Sequence, residues 1–461
     1  MFRNIKKHKG LKVIPMILSL LLLVGAFAAC AKKEDTTTET TEATTAQALA
    51  AASDVTVNAE GATKVTLNKT SITVDGSGAK ADGSTLIINA AGTYLVSGTL
   101  TDGSIVVDAE KENVTIILNG VDITCSDSAA IFVYSAKSTT LYVQEGSTNV
   151  LSDGSTYSYK SSYASEADEE PNACVFAKDD LVIAGSGSLQ VTGNANNGIV
   201  SKDTLSIENC TLTVAAKNNG INGKDSLSIK KATLNVTSNG DGLRATNDTD
   251  SDCGYIAIAN STVTIDADED GIQAQTDISI SGGKLTLETG DDGIHAANNL
   301  KIASGTLKIQ AGDDGLHADN TLSIEGGTIS ISAREGMEAT VVAVNDGTIA
   351  IEATDDGINA GQKVSGVTPS ITVNGGKLTI DMGQGDTDAM DTNGNLTING
   401  GTINITAQSP FDYDGTGALN GGTVTVNGEQ VSELTNQFGG GMGGGPGGMQ
   451  GGMRGGPGGM Q

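Results

Sequence analysis

The sequence predicts an all-β fold, a right-handed parallel β-helix with about 22 residues per coil. Three observations predict it. A motif recurs along the chain, as Asn196-Asn197-Gly198-Ile199, Asn218-Asn219-Gly220-Ile221, Gly240-Asp241-Gly242-Leu243, Glu269-Asp270-Gly271-Ile272, Asp291-Asp292-Gly293-Ile294, Asp313-Asp314-Gly315-Leu316, Arg334-Glu335-Gly336-Met337 and Asp355-Asp356-Gly357-Ile358. Its glycines stand 22 or 21 residues apart, except for one step of 29 that carries a polar insertion around Asn247–Gly254. Each unit also holds three short runs in which apolar and polar residues alternate, such as Asn299-Leu300-Lys301-Ile302 and Gly305-Thr306-Leu307-Lys308-Ile309. That alternation is the period of a half-buried strand. Finally, Gly, Asn, Asp and Ser separate the runs, as tight turns require, and no helical period intervenes. One unit cannot bury a face alone, so the apolar residues stack into a continuous interior column. The preference of parallel crossovers sets the right hand.

Residues 1–30 read as an export signal. Arg3, Lys6, Lys7, Lys9 and Lys12 precede a mostly apolar stretch from Val13 to Val24, and Phe27-Ala28-Ala29-Cys30 ends it. Small residues before a cysteine resemble a bacterial lipobox, which implies lipidation at Cys30, with Phe27 standing where Leu is usual. Residues 31–54 are a Thr/Glu/Ala-rich run without apolar periodicity, expected to be a disordered tether. Residues 55–436 form the β-helix, with less regular coils before Asn196 and a long polar insertion at Tyr157–Asn172. The tyrosines of that insertion, Tyr157, Tyr159 and Tyr163, are expected to cover the helix flank rather than stack on a sugar. A second insertion at Gly361–Thr368 interrupts the late coils. From Phe438 the chain is Gly, Met, Pro and Gln with one Arg454, and residues 437–461 are expected to be a flexible tail.

Stacking turns the motif into a ladder, because equivalent residues of adjacent coils lie about 4.8 Å apart. Asp270, Asp291, Asp292, Asp313, Asp314, Glu335, Asp355 and Asp356 then form a column of carboxylates. Two unit charges about 5 Å apart repel by roughly 3 kcal/mol at an effective dielectric of 20. Raised pKa values, basic neighbours or bound cations relieve such a column. Turn propensity alone also explains the slot, since Asn196/Asn197 and Asn218/Asn219 fill it without charge. The doubling of Asp in three coils favours metal. Calcium suits it, being oxygen-seeking and tolerant of irregular geometry. Asp386, Asp388 and Asp391, in Asp386-Thr387-Asp388-Ala389-Met390-Asp391, give the densest candidate site. Arg334 is a neutraliser of the ladder, or the base if the chain is a lyase.

The net charge of −28 and pI near 4.3 argue against a nucleic-acid partner. Aromatic residues make up only 3% and Trp is absent, which argues against an aromatic sugar platform. Beyond Cys30, the cysteines Cys125, Cys174, Cys210 and Cys253 suffice for two disulfides, with three connectivities open. The three histidines, His8, His295 and His317, show no Cys/His zinc spacing.

Four features taken in order resemble one bacterial family: the Gly92-Thr93-Tyr94-Leu95-Val96-Ser97-Gly98 stretch, the Asn196–Asp203 stretch, the Asp-Asp-Gly-Ile ladder and the Gly/Met/Pro tail. It is the family of clostridial surface lipoproteins called carbohydrate-binding domain-containing proteins, related in fold to pectate lyases. The resemblance implies a right-handed parallel β-helix, several bound calcium ions with the Asp pairs as ligands, and binding of plant-wall polysaccharide without established cleavage. Cellulose and acidic pectic sugars such as polygalacturonate are the implied ligands. The Asn-pair coils and the Arg334-Glu335 coil depart from an all-acidic ladder. A calcium-dependent pectate-type lyase and a structural surface adhesin are the competing expectations.

Overall fold

The computed structural model describes residues 55–383 and 387–436. The export signal, the tether, the tail, Cys30 and Asp386 lie outside the described residues. Among the described residues every regular element is a strand. They wind into a parallel β-solenoid of about 15 turns, roughly 23 residues each. The period exceeds the glycine spacing because insertions lengthen a few coils.

Three columns of inward side chains make the core, one from each strand of a coil. The first runs Ile199, Ile221, Leu243, Ile272, Ile294, Leu316, Met337, Ile358 and Met390 in strict register. The second includes Leu205, Leu227, Ile256, Ile278, Leu300 and Leu322, and the third Leu212, Leu234, Val263, Leu285, Leu307 and Ile329. All of these side chains are buried. Each contributes about 1.5–3 kcal/mol relative to exposure, but only because the coils above and below cover it.

The motif glycine is required by the closeness of the stacking. A Cβ at Gly293 would lie 2.4 Å from Ile309 Cγ2 and 2.5 Å from the carbonyl oxygen of Gly315. The same clash, with the next coil's carbonyl and an inward β-branched side chain, recurs at Gly220, Gly242, Gly315 and Gly336. No left-handed conformation is involved at these positions.

Pairings between named strands are parallel except at the ends. Thr63–Lys69 pairs antiparallel with Ile72–Asp75, Ala79–Asp82 with Thr85–Ile88, and Thr423–Val426 with Glu429–Val431. The first insertion lies on the outward face of the sheet that carries the motif. There Val106, Phe132, Phe176 and Val200 form a small apolar cluster with Tyr134 and Tyr163 packed on it. Tyr163 meets Tyr134 edge-on at 5.2 Å, and Tyr157 Oη donates to Asp153 Oδ2 at 2.5 Å. These two tyrosines are cover, as the sequence suggests. Glu170 pins the end of the insertion through Lys178 and Lys202, each at 2.9 Å.

Two disulfides do not form among the four cysteines of the β-helix. Cys125, Cys174 and Cys210 are free and buried, holding apolar positions along the core. Small inward positions suit a thiol as well as alanine.

Candidate metal and ligand-binding face

The doubled motif residues form two columns with different jobs. The second residue of each pair points along the stack and ties coil to coil. Asn197 Oδ1 accepts the backbone N–H of Asn219 at 3.2 Å, Asn219 Oδ1 that of Asp241 at 2.9 Å, and Asp241 Oδ1 that of Asp270 at 3.2 Å. Asp270 Oδ1 then takes the N–H of Asp292 at 3.0 Å, and Asp292 Oδ1 that of Asp314 at 2.9 Å. One oxygen acceptor is all this requires, so Asn and Asp serve alike. The chain of bonds breaks at Asp314. The N–H of Glu335 goes instead to the carbonyl of Asp313 at 3.2 Å, and Asp314 Oδ1 is left buried without a hydrogen-bond partner. It resumes where Asp356 Oδ1 accepts the N–H of Asp388 at 3.3 Å.

The first residues of the pairs are more exposed, and Arg334 stands in their column. It hydrogen-bonds Asp313 on one side and Asp355 on the other, and reaches Glu335 Oε1 at 2.8 Å and Asp314 Oδ1 at 3.8 Å. Hydrogen bonding to Asp313 leads the interactions that hold its guanidinium above its ordinary value. A side chain so held is a counter-ion, not a base.

A third column was not anticipated from sequence. Three residues after each ladder residue, one side chain points outward between two inward apolar ones. The register stacks Val200, Asn222, Arg244, Gln273, His295, His317, Glu338, Asn359, Asp391 and Asp412 in line. The signal was present in the alternation of Ile294-His295-Ala296 and Leu316-His317-Ala318, since a residue flanked by two inward neighbours must face out.

These outward residues reach the free oxygens of the ladder. Arg244 Nε lies 3.0 Å from Asp241 Oδ2, and donates to Gln273 Oε1 at 3.1 Å. His295 Nδ1 is 3.6 Å from Asp270 Oδ2 and 3.5 Å from Asp292 Oδ2. His317 Nδ1 is 3.3 Å from Asp292 Oδ2, 3.0 Å from Asp314 Oδ2 and 3.6 Å from Glu338 Oε2. Burial alone would lower the His317 pKa, but hydrogen bonds to Asp292 and Asp314 outweigh it and raise it to about 10. Burial works on Asp292 in the opposite sense, and His317 again prevails, holding that carboxyl below its usual value. Asp314 is pushed up to about 7, chiefly by burial, with Asp292, Glu338 and Glu335 adding to it against His317. Lys363, delivered by the second insertion, reaches Glu338 Oε2 at 2.6 Å.

Beyond Glu338 the basic side chains stop. Asp356, Asp391 and Asp412 make no ion pair with a basic side chain among the described residues. Burial pushes Asp356 up to about 7, with Asp391 and Glu335 adding to it. Burial, then Asp412 and Asp388, push Asp391 up to about 6. Asp388 accepts from Ser409 Oγ. Thr387 Oγ1 beside it is buried without a hydrogen-bond partner. Calcium takes oxygen donors such as these, and the carboxylates of Asp270, Asp291 and Asp292 and of Asp292, Asp313 and Asp314 also come within 4.8 Å of one another. The expected site residues thus divide. Asp270, Asp292 and Asp314 meet the histidines, Asp291 groups with Asp270 and Asp292, Asp313, Glu335 and Asp355 surround Arg334, and Asp356, Asp388 and Asp391 lie toward the far end.

Along this one face the character runs from a covered aromatic cluster, through Lys178, Lys202 and Arg244, to histidine–carboxylate pairs and then to carboxylates. Such a flat, extended, polar strip suits an extended polymer better than an enclosed small molecule.

Known proteins resemble this chain. A protein of Acetivibrio thermocellus described as a carbohydrate-binding domain-containing protein is 39% identical over 130 residues, 28% of this chain and 44% of that relative, so the match spans less than half the relative's length. A solved structure described as a polysaccharide lyase-like protein from C. thermocellum, a gadolinium derivative, superposes with a TM-score of 0.50 at 31% identity. It covers 52% of this chain and 97% of its own. The family model described as carbohydrate-binding domain-containing protein matches residues 82–336, more than half of the sequence, and the chain belongs to that family.

Proposed function

We propose that the chain is a calcium-dependent, non-catalytic polysaccharide-binding module whose ligands are acidic pectic sugars such as polygalacturonate, with cellulose a further ligand. The supporting observation is the stacking of Asp391 on Asp412 in the outward column, with Asp391 acting on Asp356 of the ladder and no basic side chain paired with any of the three among the described residues. A protein of charge −28 repels a polyuronate. Calcium held by two or three of these carboxylates keeps coordination positions free for a uronate oxygen, and so converts repulsion into a bridge. Asn359 in the next coil, and Gln273 and Asn222 farther along the same column, offer hydrogen bonds to hydroxyl groups. Cleavage by β-elimination needs a base able to accept a proton. Arg334 is committed to four carboxylates and Arg244 to Asp241, which is why binding is preferred over lysis. The same reading places the chain on the outer face of a cell membrane, held by lipid at Cys30.

The test is retention of the protein on immobilised polygalacturonate with calcium and then with chelator, while absorbance follows unsaturated uronate. Retention with calcium and release by chelator, without product, is the expected result. Retention that survives chelation would remove the bridge, and product formation would make the protein a lyase.

A further inference from the structure

Calcium is a poor fit to one stretch of the face. It takes six to eight oxygen donors, whereas the stretch from Asp292 to His317 offers two imidazoles. The rings of His295 and His317 stack at 4.4 Å with 25° between their planes, and both Nδ1 atoms face Asp292 Oδ2. Asp292 Oδ2, His295 Nδ1 and His317 Nδ1 all lie within 4.8 Å of one another. The separations from Asp292 Oδ2 are 3.5 and 3.3 Å, which leaves the fourth position of a tetrahedral ion to water, and Asp314 Oδ2 lies 3.0 Å from His317 Nδ1 on the side of the next coil. A tetrahedral ion with bonds of about 2.0–2.2 Å holds its donors roughly 3.3–3.6 Å apart.

Two further observations point to a ligand. Asp314 is only 3% exposed, yet its Oδ1 has no hydrogen-bond partner, the nearest cation being Arg334 Nη2 at 3.8 Å. His317 Nε2 is buried without a hydrogen bond, with Asp319 Oδ1 behind it at 3.4 Å. A carboxylate behind the far nitrogen is the arrangement that orients a metal-bound imidazole.

We propose that Asp292, His295 and His317 form a three-ligand site for a borderline d-block divalent cation of the zinc class, with the Asp314 carboxylate beside His317, separate from the calcium positions beyond Glu338. The cation takes the place of the proton held between His317 Nδ1 and the two carboxylates, and that proton leaves to solvent. The proposal goes beyond the polysaccharide reading and does not depend on it.

Isothermal titration of the metal-stripped protein with zinc chloride, and visible absorption after adding cobalt chloride, test it. One ion binds per chain, and binding survives about a hundredfold excess of calcium because nitrogen donors favour zinc over calcium. Cobalt gives the intense visible bands of a tetrahedral nitrogen–oxygen site. His295→Gln and His317→Gln each weaken zinc binding by about tenfold or more, while Asp391→Asn leaves it unchanged. His295 is partly exposed, so His295→Gln keeps the fold, and an unchanged melting temperature checks this. Zinc binding that is absent, displaced by calcium, or unaltered in His295→Gln would overturn the site. Loss of calcium-dependent polygalacturonate binding with zinc binding intact would sink the function proposed above and leave this site standing.

Discussion

Asp203 and Asp225 stack in consecutive coils, the N–H of Asp225 bonding the carbonyl of Asp203 at 3.2 Å. Burial, then hydrogen bonding to Asp225, raise Asp203 to about 7, so the Asp203 carboxyl carries a proton at mildly acid pH. The folded value is raised above the unfolded one of about 3.9. The associated stability is therefore fully present below that value and is lost as pH rises through 7. Asp203→Asn removes the titration. It should raise the melting temperature at pH 8 and leave it nearly unchanged at pH 4, with a gain of at most about 1 kcal/mol given the partial exposure of the pair. A gain of equal size at both pH values would show that the titration of Asp203 contributes nothing. At this scale the sequence was only half legible. Repulsion in an acidic column follows from spacing alone, and Arg334 was readable as its counter-ion. The partner of Glu338 was not, because Lys363 arrives from an insertion whose path no periodicity specifies.

The repeated element is a turn whose second residue must present an acceptor to the next coil. Asn219 accepts from Asp241 at 2.9 Å and is 8% exposed. Asn219→Ala strands that buried N–H and should cost about 1–3 kcal/mol, whereas Asn219→Asp keeps the acceptor and should cost little. Chemical denaturation of the two variants separates them, and equal losses would show that the ladder bond contributes nothing. Another turn stacks side-chain amides on one another instead. Asn374 donates to Asn345 at 2.7 Å, Asn399 to Asn374 at 2.8 Å and Asn420 to Asn399 at 2.9 Å. The coil period and the place of these residues were readable from glycine spacing. Which atom of each pair points along the stack was not, since Asp and Asn satisfy turn, ladder and metal roles alike. The outward column carrying His295 and His317 was readable from alternation, and was obscured by the more conspicuous carboxylate pairs three residues earlier.

A solenoid is held together by neighbours only, so its ends decide whether it stays monomeric and wound. The chain closes both ends with antiparallel strands, which turn the last open edge back on itself. At the C-terminal end Glu429–Val431 pairs with Thr423–Val426. Beyond it Tyr413 Oη donates to the carbonyl of Leu434 at 3.0 Å, and Asn436 Nδ2 to the carbonyl of Tyr413 at 2.7 Å. Tyr413 adjoins Asp412, so the cap also holds the carboxylate end of the outward column. Ending the chain at Val426 exposes the edge of Thr423–Val426 and frees Tyr413. Because coupling runs coil to coil, the coils around Leu300 should keep their hydrogen-exchange protection. Those from Met390 onward should lose on the order of tenfold or more, and calcium binding should weaken with them. Dimers or larger species formed edge to edge should appear on size-exclusion chromatography. A truncated chain that stays monomeric, with protection unchanged at Met390–Thr392, would mean that the last coils are stable without a cap, and that the carboxylate end owes its geometry to the coils before it alone.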